Sequence, residues 1–468
     1  MTSSVGARRS SAPVVALLLA LLLLALPAGA ATAPKPGTLT QLKGENGCLV
    51  DRSAKAGSCG TARALAGPGP FMGSRAIAVS PDGGHVYVAS SKSDAIAIFT
   101  RNRKTGALSQ GKGTIGCVAA KGAGNCAPAI GLDEPNSVAL SPDGRNLYAT
   151  SRAGNSVTAF VRNRKTGGLR QLPPAFPGCI SGAPIPGCGA GLALLAPDVV
   201  VVSPDGRNVY VGSFFGNAVA SFARNPQTGM LSQLAGTAAC IAEATAGCAT
   251  GIALKSVEGL AISGDGDSVY AATALSNAIV ELVRDPATGA LAQATDGSGC
   301  IVDAPLTGCT TGRELAGANA VAVSPDDGNV YATSLFSNSV TAFDRSSATG
   351  VLTQREGTGG CLLYLRAAGC SFGRALRSPE GLAVSPDGRN VYVAAFKTGA
   401  IAVLNRGQAG SVAQKPGAAG CLAPRSVSGC TRARALKGVS SIALSPDGRH
   451  LYSTSFESDA VDVFRRNR

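Results

Sequence analysis

The sequence predicts an all-β fold, a single seven-bladed β-propeller of four-stranded antiparallel blades, and three observations carry that reading. Serines opening Ser-Pro-Asp-Gly-like turns recur seven times, at Ser80, Ser141, Ser203, Ser263, Ser324, Ser385 and Ser445, at intervals of 60 to 62 residues. A Tyr follows each at the seventh position, from Tyr87 to Tyr452, and a Phe or Leu at the nineteenth, from Phe99 to Phe464. Units of short strands too small to bury their own apolar faces are stable only when stacked around a shared core. Third, Gly37-Thr38-Leu39-Thr40-Gln41 repeats the pattern of Gly106-Ala107-Leu108-Ser109-Gln110, whereas the last unit stops at Arg468 after its third strand. The N-terminal segment is therefore expected to supply the missing strand and close the ring, which removes an open sheet edge.

Residues 1–31 read as a secretory signal peptide. Arg8 and Arg9 precede an apolar run over residues 14–26, and Ala28-Gly29-Ala30 offers a small-residue cleavage site. Residues 32–468 are assigned to the propeller. No later apolar stretch is long enough to span a membrane, so the mature protein is expected to be soluble and secreted or extracytoplasmic. The second unit shows the blade pattern. Ser137-Val138-Ala139-Leu140 leads into a Pro-Asp-Gly turn, where Pro presets φ and Gly accepts positive φ. Asn146-Leu147-Tyr148-Ala149-Thr150 alternates at the strand period of two. A third strand, 156–161, and a fourth carrying Leu169 and Gln171 complete it. A Tyr repeated in every unit is read as a packing residue between blades.

All fourteen cysteines fall into seven local pairs: Cys48 with Cys59, Cys117 with Cys126, Cys179 with Cys188, Cys240 with Cys248, Cys300 with Cys309, Cys361 with Cys370 and Cys421 with Cys430. Zinc would need more ligands beside each pair, and the two histidines, His85 and His450, lie elsewhere. One disulfide per unit suits an exported chain. Each would close a short loop between a fourth strand and the next first strand, on the upper face, and contribute about 2.5 to 3 kcal/mol. The net charge of +14 includes the two leader arginines. Basic residues including Arg101, Arg162, Arg164, Arg224 and Arg284 fall at the lower turns and read as a solvated surface, one able to meet anionic cell-envelope polymers. With no Trp and 4% aromatics, the chain lacks the stacking platforms of single-strand nucleic-acid binders.

The residue five positions before each repeat serine starts the first strand at the upper mouth of the channel. Round the ring these are Arg75, Asn136, Asp198, Glu258, Asn319, Glu380 and Ser440. A polar residue held seven times at one register, ahead of an apolar strand, is either hydration of the mouth or a ligand-binding ring. The first unit has 21 residues between Cys59 and Ser80 where later units have 15, the excess lying over residues 67–72. That insert is a candidate lid.

Pro379-Glu380-Gly381-Leu382-Ala383-Val384-Ser385-Pro386-Asp387-Gly388-Arg389-Asn390-Val391-Tyr392-Val393 resembles the YVTN-type repeat of the lactonase-like seven-bladed propeller family, and the likeness extends over the mature chain. The stretch from Pro135 to Gly144 also resembles a segment of the six-bladed gluconolactonase and regucalcin propellers, whose Glu, Asn and Asp residues at the mouth bind a divalent cation. That likeness implies Ca²⁺ or Mg²⁺ held by Asn136, Asp198, Glu258, Asn319 and Glu380. Two functions follow. One is a secreted binding or scaffold module that meets a protein or cell-envelope partner through its upper loops and channel mouth. The other is a lactone hydrolase in which Asp198, Glu258 or Glu380 supplies the base and Arg75 the anion contact.

Overall fold

The computed structural model describes residues 1–6, 35–69, 75–120, 122–173 and 178–468. The proposed leader's apolar run and cleavage site lie outside these residues. Contacts divide the chain into Met1–Pro34 and Lys35–Arg468, and the second unit is a seven-bladed β-propeller. Its inner strands are Ile77–Val79, Pro135–Leu140, Pro197–Val202, Val257–Ile262, Ala318–Val323, Pro379–Val384 and Val439–Leu444, each next to its neighbours, the last beside the first.

The blades are richer than the four strands expected. In the second blade Pro135–Leu140, Asn146–Ser151 and Ser156–Arg162 pair antiparallel, and the outer strand is split into Leu169–Gln171 and Cys179–Ser181, both antiparallel to the third. A short strand, Gly189–Ala190, then pairs parallel to Cys179–Ser181. All seven sheets repeat this order.

The seven predicted disulfides are present. Cys48 is bonded to Cys59, Cys117 to Cys126, Cys179 to Cys188, Cys240 to Cys248, Cys300 to Cys309, Cys361 to Cys370 and Cys421 to Cys430, and no cysteine is free. Their position refines the expectation of a stiffened upper face: Cys179 and Ser181 pair with Thr158 and Ser156 at the upper end of the third strand, so the bridges lie on that side but at its outer margin. The first cysteine of each pair opens the second half of the outer strand, and the second cysteine immediately precedes the short parallel strand: Cys59 before Gly60, Cys126 before Ala127, Cys188 before Gly189, Cys248 before Ala249, Cys309 before Thr310, Cys370 before Ser371 and Cys430 before Thr431. The segment read as a loop is thus folded back and paired within its own blade. The bridges therefore staple the outer margin of the blades and stand away from the mouth.

The ring closes as the terminal repeat implies. Leu39–Gln41 pairs with Ala460–Arg466 in the register Leu39 to Arg466, Thr40 to Arg465 and Gln41 to Phe464. Cys48–Asp51 and Gly60–Ala62 continue the same sheet. The N-terminus thus supplies the whole outer half of the last blade, and the bridge from Cys48 to Cys59 is the disulfide of that blade.

The repeat residues prove to be joints between blades. In each turn the Ser hydroxyl donates to the Asp two residues on, at 2.6 Å for Ser141 and Asp143. That Asp accepts from the Arg ending the next blade's third strand. Arg162 donates through Nε to Tyr87 Oη at 2.6 Å, through Nη1 to its own turn at Gly144, and through Nη2 to Asp82 at 2.9 Å. Tyr87 in turn donates to the Gly167 carbonyl of the Arg162 blade. Arg101, Arg224, Arg284, Arg345, Arg406 and Arg466 hold Tyr452, Tyr148, Tyr210, Tyr270, Tyr331 and Tyr392 in the same way. At the closure the carbonyl acceptor for Tyr392 is Gly37.

Arg101, Arg162, Arg224 and Arg284 are therefore buried joints, which corrects their reading as surface residues, whereas the other basic residues predicted at the lower turns, Arg103, Lys104, Arg145, Arg164, Lys165, Arg207, Arg389, Arg449 and Arg465, are exposed as expected. The histidines belong to the same joints. Nδ1 of His450 faces Arg101 Nη2, and Nδ1 of His85 faces Arg162 Nη2, each at 2.7 Å, where Asn146, Asn208, Asn329 and Asn390 serve elsewhere. An acceptor toward guanidinium must be unprotonated, and burial followed by Arg101 holds the His450 pKa down at about 4.

Two checks follow. Arg162→Met strips Tyr87 and Asp82 of their partner, and because Asp82 is partly solvated the cost is about 2 kcal/mol, against less than about 0.5 kcal/mol for Arg164→Met. Equal denaturant midpoints for the two variants would contradict the joint. Deleting residues 35–47 removes the first closing strand, and the single cooperative melt of the parent is expected to disappear from calorimetric traces.

Candidate functional site

The mouth is built by a bulge. In six blades the inner strand slips register at its first residues, so that Asn136, Asp198, Glu258, Asn319, Glu380 and Ser440 are each the extra, unpaired residue. A bulge turns a side chain out of the ordinary alternation. The start of the strand is held by the preceding blade: Asn155 Oδ1 accepts from the Ala196 amide, Asn217 from Ser256, Asn277 from Gly317 and Asn338 from Ser378. At the seventh blade the corresponding residue is Gly399, which has no side chain to offer.

The structure brings the predicted ring together and divides it into two kinds. Thr150 donates to Asn136 Oδ1 and Thr333 to Asn319 Oδ1, both at 2.9 Å, and Ser440 lies 3.3 Å from the Thr454 hydroxyl. Those threonines stand fourteen residues after their partners, on the second strand. At the same offset Arg75, Asp198, Glu258 and Glu380 have Ala89, Gly212, Ala272 and Ala394. The neutral members are therefore tied to their own blade, and the charged members are given nothing by theirs. This pairing is visible in the sequence once the strands are aligned and was missed because each mouth position was read alone.

The three carboxylates are buried, at 0 to 2% exposure, and Asp198 Oδ2, Glu258 Oε2 and Glu380 Oε2 have no hydrogen-bond partner. Asp198 Oδ1 accepts from Asn136 Nδ2 at 2.7 Å and pairs with Arg152 at 3.5 Å, while Arg152 packs on the Phe214 ring. Burial pushes the Asp198 pKa up to about 7 against the pull of Arg152 and Asn136. Burial, then the negative charge of Asp198, raises Glu258 well above the usual range; burial, then Glu258, does the same to Glu380, with Lys397 opposing. Buried polar groups are ordinarily satisfied, and carboxylates held in this state are candidates for acid and base chemistry.

The donor set does not fit the implied Ca²⁺ or Mg²⁺. Asn136 and Asn319 have their carbonyl oxygens occupied by threonines, and their amides donate, to Asp198 and to the Pro379 carbonyl. Among the described residues no group of three or more His, Cys, Asp or Glu side chains is arranged to hold a metal ion.

Glu380 connects two spaces. Inward it lines a small cavity in the channel with Glu258, Asn319 and Arg75. Upward it lines a pocket of about 370 Å³ with Leu335, Phe336, Phe396, Arg377 and Lys397, within the size range of small-molecule sites. The candidate lid is anchored at its start, where Gly67 donates to Asp459 and Gly69 to the Ala89 carbonyl; Pro70, Phe71 and Met72 lie outside the described residues.

The pH response distinguishes these carboxylates from ordinary surface ones. A folded pKa near 7 for Asp198, against about 3.9 unfolded, means that the native state binds the extra proton. Stability is then lost as pH rises through 7. His450, lowered to about 4, acts oppositely and only below about pH 6.5. Between about pH 6.5 and 8 the melting temperature should therefore fall with rising pH, and Asp198→Asn should flatten that slope. An unaltered slope in the variant would remove Asp198 from the account.

Comparison with known proteins bears on this geometry. A family model described as Lactonase, 7-bladed beta-propeller matches residues 66–121. No curated protein sequence matches the chain. Among solved structures, the Pseudomonas aeruginosa periplasmic gluconolactonase superposes with a TM-score of 0.50 at 19% identity, covering 81% of this chain and 93% of that one. A candidate 6-phosphogluconolactonase from Bacteroides uniformis gives 0.51 at 18%, covering 80% and 88%. Kuenenia stuttgartiensis hydrazine synthase gives 0.50 at 18%, covering 85% and 96%. Likeness at this level reports the fold, which proteins of different chemistry share. The chain is a seven-bladed β-propeller with a disulfide in every blade, and its first blade, over residues 66–121, matches the family model of the seven-bladed lactonases.

Proposed function

We propose that the protein is an exported hydrolase of small lactones that works at the upper mouth of its channel, without a metal ion. The observation that carries this is Glu380: a buried carboxylate with one unpartnered oxygen and a raised pKa, at the floor of a pocket with apolar walls and two cations. In its ionised form Glu380 takes a proton from water as the oxygen attacks the lactone carbonyl carbon. Lys397, which lines the same pocket, faces the oxyanion that forms. Collapse breaks the ring C–O bond, and the proton held by Glu380 passes to the leaving alkoxide, giving a hydroxy acid. Burial keeps the Glu380 pKa high and the charge of Glu258 adds to it, as that of Asp198 does for Glu258. The first-blade family match and the gluconolactonase among the structural neighbours support the substrate class. The disulfides support folding in an oxidising compartment, and removal of residues 1–31 on export belongs to the same proposal.

The scaffold reading is favoured by a separate observation: Phe215, Leu275 and Phe336 are 61 to 64% exposed on the corresponding turns of three successive blades. Such an apolar arc suits a protein or cell-envelope partner.

A panel of γ- and δ-lactones assayed by acid release separates the two. Hydrolysis is expected to rise with pH through the Glu380 ionisation, and Glu380→Gln should lower kcat/KM by about 10²-fold or more. A panel without turnover, or one hydrolysed equally by Glu380→Gln, would overturn the lactonase reading.

A further inference from the structure

Exposed apolar side chains are concentrated on one sector of the upper face. Phe215, Leu275 and Phe336 stand at one position of the turn between second and third strands, twelve residues after the repeat serines Ser203, Ser263 and Ser324. Because the blades repeat one strand order, these equivalent residues reach one height along the channel axis. Backbone hydrogen bonds widen the sector. The Gly216 amide donates to the Leu195 carbonyl at 3.0 Å, which sets Leu195 beside Phe215. The Asp303 amide donates to the Asn277 carbonyl and that of Tyr364 to Asn338, so the loops carrying Leu306 and Leu365 rise beside the turns of Leu275 and Phe336. All six side chains are 44 to 68% exposed.

Cations stand among these tips without carboxylate partners. Lys255, whose carbonyl accepts from the Leu275 amide at 3.3 Å, is exposed, as are Arg377 and Lys397 of the sixth blade. Every Asp and Glu of the chain lies among the described residues, and none forms an ion pair with these three. The rest of the rim differs. At the tip position the other blades have Lys92, Ala153, Lys397 and Glu457, and Glu457 is paired with Lys437 at 3.0 Å while Lys92 covers the Phe456 ring. Apolar tips standing singly among cations do not make the contiguous, close-packed core of a protein interface. A bilayer takes separate tips without shape complementarity, and its anionic headgroups meet Lys and Arg. The lower turns carry more basic residues, but none of the large apolar side chains exposed among the described residues lies on them.

We propose that the upper face of the third to sixth blades docks on an anionic lipid surface, with Phe215, Leu275, Phe336 and the flanking leucines entering the acyl boundary and Lys255, Arg377 and Lys397 at the headgroups. Docking of this kind rests on the apolar arc being a binding surface, and it holds with or without lactone hydrolysis.

The chain has no Trp, so Leu275→Trp on the upper face and Arg164→Trp on a lower turn each report from one place. With vesicles of phosphatidylcholine containing about one-third phosphatidylglycerol, Leu275→Trp should shift its emission to the blue and be quenched by brominated acyl chains, and Arg164→Trp should do neither. Binding measured by cosedimentation should fall as salt rises, weaken about fivefold for Lys255→Gln and weaken at least about tenfold for Phe215→Ser combined with Leu365→Ser. These three residues are exposed and lie outside the pocket over Glu380, so the variants should melt as the parent does. The proposal is overturned if the protein does not cosediment with anionic vesicles at low salt, if Arg164→Trp responds as Leu275→Trp does, or if the double variant binds as the parent does. Sedimentation velocity without vesicles separates lipid from a second copy of the chain. A parent dimer that the double variant loses, in the absence of vesicle binding, would overturn the lipid partner and leave the arc as an interface between copies. Should the double variant fail to fold, the two Trp reporters and the comparison with vesicles of phosphatidylcholine alone decide the matter.

Discussion

At six of the seven blade boundaries a guanidinium has exchanged water for at least three fixed partners, the Tyr hydroxyl and turn Asp of the preceding blade and the carbonyl of its own turn. A buried cation is tolerated only when such partners satisfy it, so each joint also fixes the geometry of both blades. The fifth blade shows the dependence. There Asp327 replaces the turn Gly of other blades, and Nη1 of Arg345 is left without a partner. The outer Gln residues add a second tie: Gln171 holds both the amide and the carbonyl of Ile130 in the preceding blade. The blades are thus cross-linked through polar side chains as well as packed through the Tyr and Phe rows that fill the space between them.

A ring held so firmly at its base and margin can leave polar groups unsatisfied at its mouth. Asp198, Glu258 and Glu380 come from three blades, repel one another in sequence, and have no partner on their own second strands. The cost is borne by the scaffold. The disulfides strengthen this arrangement from outside: by stapling the outer margin they restrain the unfolded chain without occupying the mouth, and the upper turns remain open to a ligand.

The repeat spacing, the strand alternation and the Gly-Thr-Leu-Thr-Gln segment made the propeller, its blade number and its closure legible without coordinates. The polar ring was legible as well, because one residue type class recurs at one register from Arg75 to Ser440. What could not be read was the state of those residues. Asn136 and Glu380 look equivalent along the chain, yet one is satisfied by Thr150 and the other is left unpaired beside Ala394. Arg101, Arg162, Arg224 and Arg284 misled for the same reason: a basic residue at a turn is ordinarily solvated, as Arg145 and Arg164 are, and only a neighbouring blade can bury it.

By itself the sequence determined the local facts of this protein: where strands and turns fall, which cysteines are close enough to pair, and how many blades the ring must have. These follow from periodicity and turn chemistry, which act over a few residues. Only the tertiary structure decided the opposite pKa shifts of Asp198 and His450, the burial of the joint arginines and the placement of the disulfides at the outer margin of the blades. Each of those depends on the dielectric and the partners supplied by the folded blades, and burial and pairing are set largely by atoms some sixty residues away or more.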